Sequence, residues 1–103
     1  MTLRQKQSRF VHMIALLILH AEALGYELTF GDGYRDPRVP YGHPESLHKH
    51  RLAHDLNLFQ DGIYLMTTAA HEPLGLYWES LGGAWGGRFN DGNHYSLEHE
   101  GMR

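Results

Sequence analysis

The stretch Arg51–Met66, "RLAHDLNLFQDGIYLM", decides how the rest of the chain is read. In "RLAHDLNLF" the side chains alternate, with Leu52, His54, Leu56 and Leu58 on one face and Ala53, Asp55, Asn57 and Phe59 on the other. That is the two-residue period of a β-strand. "QDG" supplies a tight turn and "IYLM" a second apolar run, so the segment predicts a hairpin.

Working outward, "YELTF" also alternates and is rich in β-formers. It leads into "GDGYRDPRVPYGHPES", whose three glycines and three prolines mark a loop. Further upstream, Phe10, Ile14, Leu17, Ala21 and Leu24 recur every three to four residues. That stripe predicts an amphipathic helix from about Leu3 to Leu24, ended by Gly25. Downstream of the hairpin, "TTAAHEPLGLYWESLGG" predicts a second helix, with Thr67 or Thr68 as N-cap and Gly82 and Gly83 as its stop. "AWGGRFNDGN" reads as loop and "HYSLEH" as a short final strand. The order helix, strand, hairpin, helix, strand describes one α+β domain over residues 1–103, a small antiparallel sheet with flanking helices.

Composition narrows the chemistry. Nine Lys and Arg against twelve Asp and Glu give a formal charge of −3, which argues against a nucleic-acid partner. The absence of cysteine excludes disulfides, iron–sulfur clusters and thiolate zinc sites. Any metal must therefore be held by His, Asp or Glu, and nine histidines make that option worth testing. The N-terminal segment superficially resembles an export signal, but His12 and His20 interrupt it and no small-residue cleavage site follows. Its apolar stretch Met13–Leu19 is far short of the about 20 residues that span a bilayer. A core helix is the expectation, with no membrane partner.

The hairpin places Asp55 within a strand and His48 in the turn just before it, close enough for the imidazole to fold back beside the carboxylate. A lone His–Asp pair at this spacing is ordinarily a surface or loop hydrogen bond. As metal ligands, the two make only part of a coordination shell, because catalytic zinc takes three protein ligands and leaves one position for water. His94, at the start of the last strand, can supply the third if that strand lies beside Asp55. Asp91, three residues earlier, can then serve as general base. His12, His20, His43 and His71 show no partner pattern and read as structural or solvated, and His50 and His54 as neighbours of the site. HExxH is absent, which closes the zincin route to a zinc peptidase.

"SLHKHRLAHD" fits S-x-H-x-x-x-x-A-x-D, and so resembles the first metal motif of the D-Ala-D-Ala-type metallopeptidases, the group that shares its fold with the hedgehog signalling domain. "WGGRFNDGNH" looks like that group's second motif, an acidic residue followed by x-x-His. "GYELTFGDGYR" resembles the segment before the first motif, where an Arg follows a strand. The likeness runs from roughly Arg9 to Glu98 with the three motifs in order, and is greatest to phage L-alanyl-D-glutamate endopeptidases.

Carried over by position, the resemblance implies that His48, Asp55 and His94 hold Zn2+ and that Asp91 is the catalytic base. It further implies that Arg35 faces the substrate to stabilise developing negative charge, and that Ser46 braces the ligand loop. Trp85 is expected to pack beneath the active-site loop. Many members carry Gly where this chain has Arg51, which can alter the turn there. The activity implied is zinc-dependent hydrolysis of the L-Ala–D-Glu bond in peptidoglycan stem peptides, by a monomeric phage or prophage endolysin. Such an enzyme is expected in the host cytoplasm until it reaches the cell wall or periplasm during lysis. A D-Ala-D-Ala carboxypeptidase or dipeptidase on the same scaffold, or a non-catalytic zinc-containing wall-binding module, are the alternatives.

Overall fold

The structure, a computed structural model, describes residues 1–36, 38 and 46–103. His43 and much of the Pro- and Gly-rich loop lie outside the described residues. The first helix, α1, spans Leu3–Ala23, and Thr2 opens it with a capping box closed by Gln5. At its other end Gly25 takes φ 88, the Gly25 N–H bonds the Glu22 carbonyl, and the Tyr26 N–H bonds the Ala21 carbonyl. These are the two bonds of a Schellman stop, which a left-handed glycine permits without steric cost. The buried stripe is Phe10, Met13, Leu17 and Ala21, so Met13 rather than Ile14 carries the innermost contact, and Leu24 lies outside the core.

Five antiparallel strands follow: β1 (Glu27–Phe30), β2 (Ala53–Gln60), β3 (Ile63–Leu65), β4 (Ala84–Trp85) and β5 (His94–Ser96). The order is β1-β2-β5-β4, with β3 also paired to β2. The expected hairpin is β2–β3, and Asp61 and Gly62 both take positive φ in its turn, 53° and 78°. Beyond Phe30 the pairing of the first strand shifts by one residue. The Gly31 N–H bonds the Asp55 carbonyl, while the Asp55 N–H bonds the Asp32 carbonyl. Two residues thus oppose one, a bulge beside the residue that matters most for chemistry.

The second helix, α2, spans Glu72–Ser80, later than the sequence suggests. Pro73 has no N–H to give the Ala69 carbonyl, so the chain enters through a short 3-10 turn, Ala69–His71, closed by the Glu72 N–H on that carbonyl. Thr67 accepts the Ala70 N–H at 3.2 Å, and Thr68 makes no side-chain cap. Gly82 and Gly83 end α2 as expected, in a second Schellman arrangement onto Glu79 and Trp78. "AWGGRFNDGN" is not all loop, because Ala84 and Trp85 pair with Ser96 and Tyr95, and Gly86–Phe89 form a 3-10 turn.

Leu52, Leu56, Leu58 and Tyr95 form the face that the helices cover. Tyr95 meets Trp78 of α2 edge-on at 5.8 Å, and Trp78 meets Phe10 of α1 at 5.7 Å. The buried Trp78 Nε1–H is shared between the Ala84 carbonyl at 3.1 Å and the Ser96 carbonyl at 2.9 Å, which ties α2 to the two strands. No helix among the described residues is long and apolar enough to cross a membrane.

One polar pair sits inside this core. The Tyr95 hydroxyl lies 2.8 Å from Nδ1 of His71, which is only 2% exposed. Burial pushes the Tyr95 phenol up, so it keeps its proton and donates, and burial depresses His71 from 6.5 to about 4. An unfolded chain therefore takes up a proton at this histidine between pH 6.5 and 4 that the folded chain refuses. The stabilisation is complete above about pH 6.5 and shrinks as pH falls toward 4, by roughly 3 kcal/mol in all. Urea unfolding of the metal-free protein from pH 7.5 to 4.5 is expected to show this slope, and His71→Gln to flatten it relative to wild type.

Candidate metal centre

The pairing of β2 with β5 sets Asp55 directly opposite His94, so their side chains leave the same face of the sheet. His48 arrives from a 3-10 turn, Leu47–His50, which packs Leu47 into the core. Ser46 opens that turn by accepting the His48 N–H at 3.2 Å. Asp55 Oδ1 lies 3.3 Å from His48 Nε2 and 3.5 Å from His94 Nδ1. One donor atom from each residue falls within 4.8 Å of the other two.

These distances exceed those of short charge-assisted hydrogen bonds, and Asp55 Oδ1 is buried without a hydrogen-bond partner. They match a shared cation instead, since ligand atoms bonded tetrahedrally at about 2.1 Å lie about 3.4 Å apart. His48 is prepared for such a role, because its Nδ1 lies 2.8 Å from the Gly33 carbonyl. The carbonyl can only accept, so Nδ1 carries the proton and Nε2 offers its lone pair to the centre. Burial alone would raise the Asp55 carboxyl, but the His48 and His94 imidazoles outweigh it and hold the group at about 2. Burial likewise opposes protonation of His48, yet Asp55 and the Gly33 carbonyl lift it above its ordinary value. The buried His–Asp–His group can hold a metal ion, and its two nitrogens and one oxygen are compatible with zinc.

A cavity of about 560 Å³ opens over the group, and Arg35, Ser46, His48, Asp55, Asp91 and His94 all line it. Every residue singled out for chemistry from the sequence thus reaches one cavity. A larger cavity of about 690 Å³ lies between α1 and β1, but its walls contain no imidazole and it has no part in this chemistry. The Arg35 N–H bonds the His48 carbonyl at 3.1 Å, and its guanidinium pairs with Asp32 at 3.2 Å, so the arginine is fixed to the ligand turn. Asp91 is exposed at the cavity wall, with its carbonyl accepting the His94 N–H at 3.1 Å. Trp85 is buried beneath this loop and donates to the Gly92 carbonyl at 2.8 Å. Gly86 allows the loop to close, because a Cβ there would collide with the Asp91 carbonyl and reach within 2.7 Å of His94 Cβ.

Several participants carried no signal in sequence. The Gly33 carbonyl is a backbone group that any residue presents. Phe89 sets its ring 5.6 Å from that of His94, and Gly101, Met102 and Arg103 form another wall of the cavity. His54 is half-buried against Phe30, and His50 faces His99 at 5.4 Å; neither joins the ligand group. His20 stacks on Tyr77 at 3.9 Å, far along α1 from this centre.

Compared with known proteins, the chain matches no family model and no curated sequence.

Arg51 follows the ligand turn in a left-handed conformation, φ 60 and ψ 33, where glycine would be unstrained. Its guanidinium lies 4.1 Å from the Tyr34 ring centroid, a cation–π contact that offsets part of the strain. Arg51→Gly should be more stable than Arg51→Ala by about 1 kcal/mol in urea unfolding, since neither can stack on Tyr34 and only alanine pays the left-handed cost. Zinc affinity measured by chelator competition should fall in Asp55→Ala by more than about 100-fold, beyond the 10–100-fold typical of outer partners.

Proposed function

We propose that this protein is a zinc-dependent peptidoglycan hydrolase that cleaves the L-Ala–D-Glu bond of stem peptides, as in a phage or prophage endolysin. The observation that carries the reading is the His48–Asp55–His94 group at the base of a cavity that Arg35 and Asp91 also line. A purely structural metal site is closed by a fourth protein ligand and needs neither a base nor a cation beside it. The order of the motifs in sequence supports the same choice.

His48, Asp55 and His94 would hold the zinc, which would supply a Lewis acid and lower the pKa of water bound to it toward about 7. Asp91 accepts a proton from the water that attacks the L-Ala carbonyl, and returns it to the departing D-Glu amine. One carboxylate serves both transfers, which suits a group exposed at the wall of an open cavity. The Arg35 guanidinium faces the carbonyl oxygen as it gains charge; Asp32 pairs with it, and the Arg35 N–H ties its backbone to the His48 carbonyl. Gly33 keeps the His48 ring in one tautomer through the cycle.

The test joins zinc content to mass spectrometry of purified peptidoglycan digested by wild type and by Asp91→Ala. Zinc-loaded wild type should create new L-Ala carboxyl ends and free D-Glu amines. Asp91→Ala should keep its zinc and lose activity by roughly 10²–10⁴-fold. Bound zinc with no new ends from wild type would replace the enzyme with a wall-binding module, and equal zinc loss in Asp55→Ala and Asp91→Ala would overturn the assigned roles.

A further inference from the structure

The last four residues before Arg103 fold back on themselves. His99 and Met102 exchange backbone hydrogen bonds at 3.1 and 2.9 Å, and Glu100 and Gly101 between them take φ 50 and 84. Positive φ at both central positions is the signature of a type I′ turn. The turn is anchored on three sides. Lys6 Nζ of α1 lies 3.1 Å from His99 Nδ1, the His99 ring faces that of His50 in the ligand turn, and Met102 packs against the core. Arg103 is therefore delivered to the wall of the metal cavity by a pinned turn, and it lines that cavity together with Arg35.

The charge balance there is more even than that of the molecule. The chain carries a formal −3, yet the cavity's charged side chains are Arg35 and Arg103 against Asp55 and Asp91. A divalent ion on the His–Asp–His group makes the cavity positive. Glu79 feels the charge of Arg103, but its two oxygens already bond Arg88 at 2.6 and 2.8 Å.

We propose that Arg103 is a substrate-binding residue which, together with Arg35 on the lining of the same cavity, forms an anion subsite for a carboxylate adjacent to the scissile amide. The inference rests on the hydrolase reading and deepens it. A D-Glu residue that continues a peptide through one of its carboxyl groups leaves the other free, one residue from the bond cut. A guanidinium recognises that carboxylate with paired, charge-assisted hydrogen bonds, whereas a carboxamide in its place offers one acceptor and no charge. Arg103 thereby discriminates acidic from amidated peptides at this position.

The test uses two synthetic peptides, N-acetyl-L-Ala–D-Glu extended as a γ-methylamide, with the α-group either a carboxylate or a carboxamide. Binding is measured by calorimetry on the zinc-loaded full chain carrying Asp91→Ala to prevent turnover, with or without Arg103→Ala or Arg103→Lys, after zinc content is shown to be equal. The carboxylate peptide should bind about tenfold more tightly than the carboxamide. Arg103→Ala should bring the ratio near one, and Arg103→Lys should restore part of it. An equal preference with and without Arg103, or no preference at all, overturns the subsite. The hydrolase reading fails separately, if zinc-loaded protein with Asp91 intact leaves the carboxylate peptide uncut while binding it in an Arg103-dependent way.

Discussion

The register between β2 and β5 is the constraint on which the rest depends. Asp55 stands opposite His94 and His54 opposite Tyr95, so the same pairing that aims two ligand side chains outward aims Tyr95 into the core. A slip of one residue would exchange the faces, burying the imidazole under the helices and expelling the tyrosine. What forbids the slip is on the core side: Tyr95 is enclosed by Trp78 and bonded to His71, and Trp78 holds the Ser96 carbonyl one residue on. The geometry of the candidate centre is thus set by apolar packing that contains none of its ligands.

The remaining parts are attached to that register through backbone groups, some bonded to one another and some to side chains. Gly33, beyond the bulge opposite Asp55, orients the His48 ring, and Arg35 bonds the His48 carbonyl two residues later. Asp91 and His94 share a turn closed by the His94 N–H, and the Gly92 N–H bonds Thr68 at 3.2 Å while its carbonyl takes the Trp85 indole. Loops with these fixed ends hold side chains as a strand would, which a site needs if its donors must stand ready before a ligand arrives.

The sequence made legible whatever rests on repeating patterns. The alternation of Leu52, Leu56 and Leu58 identified β2, Asp61–Gly62 its hairpin, and Gly25 and Gly82 the two helix stops. All six site candidates line one cavity, but ligand spacing and strand placement pointed only to His48, Asp55, His94 and Asp91, while Arg35 and Ser46 came from the motif resemblance alone. What the sequence concealed has no pattern to read. β4 is two residues long and shows no period, the start of α2 turns on one missing Pro73 N–H, and the carbonyl of Gly33 is common to every residue. The left-handed Arg51 is concealed in a different way, since arginine does not announce a conformation that glycine would.

Electrostatics explain why these pieces belong to one site. Asp55 is largely buried and ionised at neutral pH, and two imidazoles at 3.3 and 3.5 Å stand too far for short hydrogen bonds to satisfy it. Were it only a structural acceptor, the imidazoles would close on it, as Gly33 has closed on His48 at 2.8 Å. Buried groups without close partners are costly to hold. The three donors lie within 4.8 Å of one another, close enough to share a cation, and a cation there would offset that cost. The surrounding arginines, one tied to the ligand turn and one carried on an anchored turn, then face a centre of their own sign. Arginines beside a cation-holding centre favour an anion between them and it.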